Sequence, residues 1–183
     1  MNFNIKVKKV LEQDLKSISN IVNEQLGLNY INSKNFMQNN FQKYQASLNN
    51  ELVGFITFKY VTVEDVLKRI PKVSQKKLEK LLLGKKITYI GTVATDSEYK
   101  RLGVATVLFK YVINLLEKDN VIIMTGWKNN DTINIGGIAN QYGFENILEI
   151  KDFWKADSIK KKYDCHICGN PCFCSAIIYM KYL

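Results

Sequence analysis

The chain has 183 residues, of which 46% are apolar and 23% charged, with only two prolines and ten glycines. That length supports one domain with a substantial core, and the composition excludes collagen-like, low-complexity and disordered classes. The net charge of +9 comes from 26 basic against 17 acidic residues, and every base except Arg69 and Arg101 is lysine, which disfavours a nucleic-acid reader.

No apolar run approaches the ~20 residues that cross a bilayer. The N-terminal stretch alternates polar and apolar residues instead of showing a basic head and a continuous apolar run, so a cytoplasmic protein with no membrane partner is expected. Phe3, Ile5 and Val7 predict a half-buried first strand. Leu15, Ile18, Ile21, Val22 and Leu26 recur at helical spacing, with Gly27 as a stop, and a second helix over 33–44 starts from Ser33. Strands over 44–48 and 51–61 flank Asn49-Asn50, a pair that tolerates the positive φ angles of a tight hairpin.

Residues 63–86 read as a helical insertion, with Val66, Leu67, Ile70, Leu78, Leu81 and Leu82 on its apolar side, a break near Pro71 and an end at Gly84. Between positions 67 and 86 there are eight basic residues and one acid, Glu79, giving a local charge of +7. Such a run is a solvated face that attracts acidic partners. A strand follows over 87–95. In the helix predicted over 103–118, Thr106, Lys110, Asn114 and Glu117 mark a narrow polar stripe. The apolar run 121–125 predicts a central strand, 133–142 a short helix, and two last strands fall within 148–154 and over 176–183. The order predicts a mixed α/β fold, an α+β sheet of about seven strands flanked by about four helices in a single domain over 1–183. Its parallel strand–helix–strand unit lies over 87–125.

The junction Tyr99-Lys100-Arg101-Leu102-Gly103-Val104-Ala105-Thr106 carries the clearest chemistry. A helix that opens on Gly103 aims unpaired N–H groups outward, and a phosphate placed there meets several donors. Gly103 and Ala105 keep side-chain bulk away, while Lys100 and Arg101 add charge at the rim. Neither a P-loop nor a Gly-x-Gly-x-x-Gly dinucleotide fingerprint is present.

The stretch Val93-Ala94-Thr95 through Lys100-Arg101-Leu102-Gly103-Val104-Ala105-Thr106 resembles the acetyl-coenzyme A motif of the GNAT N-acetyltransferase superfamily. Ser47 to Ile56, with Val53-Gly54-Phe55, resembles that family's second and third strands, and Asn140 to Phe144 resembles the Gly-Phe closing its fourth helix. The resemblance covers roughly residues 1–150 and implies acetyl transfer from acetyl-coenzyme A to a primary amine by direct attack. It places Val93, Ala94 and Thr95 along the pantetheine arm. Lys100, Arg101, Leu102, Gly103, Val104, Ala105 and Thr106 would lie around the pyrophosphate, with Lys100 where the family prefers Arg or Gln.

Two departures stand out. Thr132 occupies the place of a frequent family asparagine, with Asn130 or Asn134 as substitutes, so Asn134 joins the cofactor-binding candidates. Ala139 occupies the place of the frequent acid tyrosine. Tyr142 on the same helix is a candidate acid with an alternative packing role. Glu64 is a candidate base, with Asp65 beside it, and both have an alternative role in capping the insertion helix. Acid and base stay unassigned. The acceptor is expected to be a small-molecule or protein amine, homodimerisation is left open, and the insertion is expected near the acceptor side.

All four cysteines lie in Cys165-His166-Ile167-Cys168-Gly169-Asn170-Pro171-Cys172-Phe173-Cys174. A Cys-x2-Cys pair and a Cys-x-Cys pair joined by a turn can surround one structural zinc, while His166 sits between ligands as a bystander. Disulfides and an iron–sulfur cluster are disfavoured. A second function class stays open: a non-catalytic module that binds acetyl-coenzyme A, or nucleic acid through the lysine patch and the knuckle.

Overall fold

In the computed structural model, which describes residues 4–31, 33–129, 132–133 and 135–183, strand β1 (Lys6–Lys9) leads into helices α1 (Leu15–Gln25) and α2 (Ser33–Gln38). A hairpin of β2 (Gln42–Leu48) and β3 (Glu51–Val61) follows. Its turn residues Asn49 and Asn50 have φ of 51° and 68°, the left-handed pair that matches the twist of a two-residue hairpin. The second helix stops well short of Tyr44, because Tyr44 belongs to β2 and stacks on Phe58 with ring centroids 6.1 Å apart. Phe3, expected in the first strand, lies outside the described residues.

The insertion forms α3 (Val63–Leu67) and α4 (Lys72–Leu82), broken before Pro71 as its missing N–H requires. Then come β4 (Lys86–Thr95), a short turn of 3-10 helix (Ser97–Tyr99), α5 (Val104–Leu115) and β5 (Asn120–Asn129). The rest is β6 (Thr132–Ile133), α6 (Gly136–Gln141), β7 (Glu145–Ile150), α7 (Lys155–Lys161) and β8 (Ser175–Tyr182). The seventh strand thus lies earlier than 148–154. A register shift between Asn146 and Leu148 breaks the alternation that would have revealed it. Helix α7 was not expected, and with the divided insertion it raises the helix count among the described residues to seven.

The mixed sheet has the order β1-β2-β3-β4-β5-β8-β7, with β6 paired to β5, and among the described residues only β4 and β5 run parallel. Residues 121–124 are buried on both sides, as a central strand demands. Ile122 and Met124 face α5 with Leu108, Phe109 and Val112. On the opposite face, Val121 and Ile123 meet Ile70, Leu78 and Leu82 of the insertion. Further along that face, Ile18, Ile21 and Val22 of α1 cover Phe55 and Ala94. The insertion therefore closes a core layer while its lysines face outward.

Candidate active site

The parallel ladder between β4 and β5 runs only from Lys86↔Asn120 to Ile90↔Met124. Beyond it the two strands part. Strand β4 carries one extra residue there, since Ile56 pairs with Val93 but Phe58 with Ile90. The Thr92 N–H donates to Thr57 Oγ1 at 2.9 Å and fixes that bulge. Strand β5 continues along β8 as far as Lys128↔Ser175. Residues 91–95 therefore keep β3 on one edge and present unpaired backbone groups on the other.

Past Thr95, Asp96 accepts a hydrogen bond from the Glu98 N–H at 3.0 Å, and the Tyr99 hydroxyl donates to Glu51 at 2.6 Å. The Glu51 carboxylate, with some burial, raises the Tyr99 hydroxyl above its ordinary value. Glu24 of α1 is held below the usual carboxylate range, chiefly by Ser97, which ties that helix to the same turn. Arg101 and Gly103 then take positive φ angles of 65° and 81°, and α5 starts at Val104 with its first-turn N–H groups free. A Cβ on Gly103 would meet nothing within 4 Å, so the glycine serves the left-handed backbone and leaves space in front of the helix.

A cavity of about 740 Å³ connects these parts. Val93, Ala94, Thr95, Lys100, Arg101, Gly103, Val104, Ala105 and Thr106 all line it, whereas Leu102 does not. Asn130 and Asn134 lie outside the described residues. From the helix start the cavity passes between the parted strands, along Gly91 and Met124, to an end built by Leu26, Tyr30, Trp127, Trp154 and His166. Burial pushes the Tyr30 hydroxyl far above the ordinary phenol range. Among the described residues no carboxylate lines the cavity. The insertion borders a separate recess of about 90 Å³ through Asp65, Val66, Arg69 and Ile70, so it lines none of the main cavity.

Tyr142 does not line the cavity. Its hydroxyl donates to the Thr106 carbonyl oxygen at 2.9 Å, its ring stacks on Phe109 at 6.1 Å, and burial raises its pKa. Glu64 stands exposed in the first turn of α3, held low by its own backbone N–H and then by the Thr62 hydroxyl. Neither lines the cavity. Ala139 is fully buried under α5.

A model of the GNAT acetyltransferase family matches residues 12–136, more than half of the chain. The chain belongs to the GNAT acetyltransferase family. Solved structures agree on the GNAT fold. Arabidopsis thaliana NAA60 in complex with acetyl-CoA superposes with a TM-score of 0.70 at 14% identity, over 98% of this chain and 99% of that one. Ard1 from Thermoplasma volcanium gives 0.66 at 14%, over 98% of each chain. The ribosomal-protein-S18-alanine N-acetyltransferase from Escherichia coli gives 0.63 at 15%, over 96% and 92%. No curated protein matches the sequence.

The aromatic end of the GNAT cavity was not visible in the sequence. Trp127 stacks on Tyr30 at 6.2 Å and tilts against Trp154 at 5.4 Å, and His166 meets it edge-on at 5.9 Å. Alternation along β5 was the one available signal, since it places Trp127 on the face of Thr125 and Ile123. His166 comes from the cysteine turn, where Cys165, Cys168, Cys172 and Cys174 hold their sulfurs within 4.8 Å of one another. Cys165, Cys172 and Cys174 are buried among Trp127, Trp154 and Tyr163, and Cys168 is exposed. Burial pushes the Cys174 thiol up to about 11, and the Cys172 thiol higher still. The Trp127 indole N–H makes no hydrogen bond of normal geometry, yet it stands near enough to Cys174 to favour the thiolate.

Proposed function

We propose that the protein is an N-acetyltransferase that moves the acetyl group of acetyl-coenzyme A to a primary amine. The observation that carries this reading is one continuous cavity from the Lys100–Thr106 loop, through the parted strands, to an aromatic end. The free N–H groups at the start of α5, with Lys100 and Arg101 at the rim, suit a pyrophosphate. The open edge of β4 offers Val93 and Thr95 backbone groups to an extended pantetheine arm, as an added strand would use them.

In the reaction the neutral amine nitrogen attacks the thioester carbonyl carbon to form the C–N bond, the nitrogen releases a proton, the C–S bond breaks, and the coenzyme A thiolate takes up one proton, leaving the amide and the free thiol. The open edge of β4 offers backbone N–H groups as donors for the oxyanion. The aromatic end, with no carboxylate among its described residues, suits an amine without further positive charge, such as a peptide α-amine, over a polyamine. Arabidopsis thaliana NAA60, bound to a bisubstrate analogue in another of its structures, shares this fold.

Calorimetry of acetyl-coenzyme A binding tests the assignment. Wild type is expected to bind, and Gly103→Glu, which sets a carboxylate before the helix start, is expected to lose binding. A thiol-release assay over peptides with free N-termini, lysine peptides and polyamines then reads the acceptor, with the peptides expected to respond. Binding without turnover of any amine would make the protein a non-catalytic acetyl-coenzyme A binder.

A further inference from the structure

The four cysteine sulfurs surround one point. Cys174 Sγ lies 4.0 Å from Cys165 Sγ and 3.6 Å from Cys168 Sγ, and all four fall within 4.8 Å. Tetrahedral zinc with Zn–S bonds of about 2.3 Å sets its sulfurs roughly 3.8 Å apart. A disulfide needs about 2.05 Å, so the spacing fits ligands of one metal and no S–S bond.

The backbone is shaped around the same point. Cys165 and Gly169 exchange hydrogen bonds of 3.2 and 2.8 Å, closing a small loop with Gly169 at a φ of 72°. The Ile167 N–H donates to Cys165 Sγ at 3.4 Å and the Phe173 N–H to Cys168 Sγ at 3.3 Å, as donors that orient thiolate ligands do. Asn170 Nδ2 donates to the Ser158 and Tyr163 carbonyl oxygens at 3.0 Å each, and the Cys172 N–H to Ser158 Oγ at 2.9 Å, which ties the turn to α7. Ile167 and Phe173 are 38% and 51% exposed, with Lys155 Nζ 4.8 Å from the Phe173 ring centroid, so apolar packing of these two is slight.

This turn also shapes the transferase cavity. Asp164, next to the first ligand, donates its N–H to the Leu28 carbonyl oxygen at 3.0 Å. Gly27 sits so close that a Cβ there would stand 1.9 Å from the Asp164 carbonyl oxygen. Leu26 and Tyr30, on either side of that junction, line the aromatic end of the cavity, and so does His166.

We propose that Cys165, Cys168, Cys172 and Cys174 bind one zinc ion, and that the metal-closed turn is the acceptor-side wall of the cavity, holding His166 and residues 25–30 in place. The wall rests on the transferase reading; the metal site does not. Zinc binding then adds folding free energy to the packing of Cys165, Cys172 and Cys174 against Trp127, Trp154 and Tyr163.

The purified full chain is expected to carry one zinc per chain. Exchange for cobalt(II) is expected to give thiolate charge-transfer bands and intense tetrahedral d–d absorption. Cys168→Ser, at the exposed ligand, is expected to lose both. Should that variant fail to fold, the cobalt spectrum of wild type decides alone, and its absence overturns the metal site. On chelation, amide hydrogen exchange is expected to rise at 25–31 as well as at 163–174, while 93–106 and acetyl-coenzyme A affinity stay unchanged. A rise confined to 163–174 overturns the wall. Failure of both metal-bound and chelated protein to bind acetyl-coenzyme A overturns the transferase reading and leaves the cobalt result standing.

Discussion

Gly54 on β3 lies directly against Val104 at the start of α5: a Cβ at position 54 would stand 2.8 Å from Val104 Cγ1 and 2.9 Å from the Ala94 carbonyl oxygen. The helix start is thereby held on the β3–β4 pair, next to the cavity end lined by Gly103 and Ala105. Neither neighbour yields easily, since Val104 is 1% exposed and Ala94 O belongs to the β4 backbone. Gly54→Ala is expected to cost about 1–3 kcal/mol of stability through overpacking. Because the strain falls on the helix start, acetyl-coenzyme A affinity should weaken too. Denaturant unfolding and calorimetry on the same variant read both effects, and Gly137→Ala, where a Cβ meets nothing within 4 Å, is the comparison for stability.

Tyr142 separates a structural from a chemical role. Its hydroxyl is already spent on the Thr106 carbonyl oxygen at 2.9 Å. Tyr142→Phe is expected to cost about 0.5–1.5 kcal/mol of stability, the usual worth of one such bond. Turnover should be unchanged. A fall in kcat of about 10²–10⁴ would instead identify this hydroxyl as the acid for the thiolate.

Arg101 should show stability and affinity moving in opposite directions. It adopts a φ of 65°, where an L side chain costs roughly 1–2 kcal/mol, partly recovered by its lower entropy in the unfolded chain. Arg101→Gly is therefore expected to raise stability by up to about 1 kcal/mol. The same change removes a cation from the rim of the cavity, so acetyl-coenzyme A should bind more weakly and with less salt dependence. Thermal unfolding and calorimetry at low and high salt decide the point.

The parts of this site legible in the sequence were those written in local backbone chemistry. Asn49-Asn50 marked its hairpin and Gly103 its helix start because each needs a left-handed φ, which few residue types accept. The apolar run 121–124 marked the central strand through burial on both faces. The parting of β4 and β5 left no such trace, because it depends on an extra residue in β4 measured against β3 and on β8 claiming the far half of β5. His166 read as a bystander between two ligands. Its place in the cavity wall depends on Asp164 bonding Leu28, a contact between the two ends of the chain. Helix α7 went unseen since Lys155, Asp157, Lys160 and Lys161 leave it almost no apolar periodicity.

Acid should expose the electrostatic share of the helix starts. At the head of α3 the Thr62 hydroxyl accepts the Asp65 N–H at 3.2 Å, and Asp65 accepts a hydrogen bond from Lys68 at 2.9 Å. Lys68 first, then the Thr62 N–H, hold the Asp65 carboxyl below its ordinary value of 3.8. Glu64, held by its own backbone N–H, and Glu24, held by Ser97, lie below 4.5. Each folded-state pKa is thus lower than its unfolded one, so the unfolded chain binds protons first as the pH falls. The stabilisation is complete at neutral pH, begins to decline as the pH drops through the unfolded values, and is lost once the folded pKa values are passed. All three groups are exposed, so the effect is modest and screened by salt. Asp65→Asn should show a shallower decline in unfolding free energy between about pH 5 and pH 3, converging with wild type at the acid end. Denaturant unfolding across that range checks it, and parallel curves for the two proteins would remove Asp65 from the account.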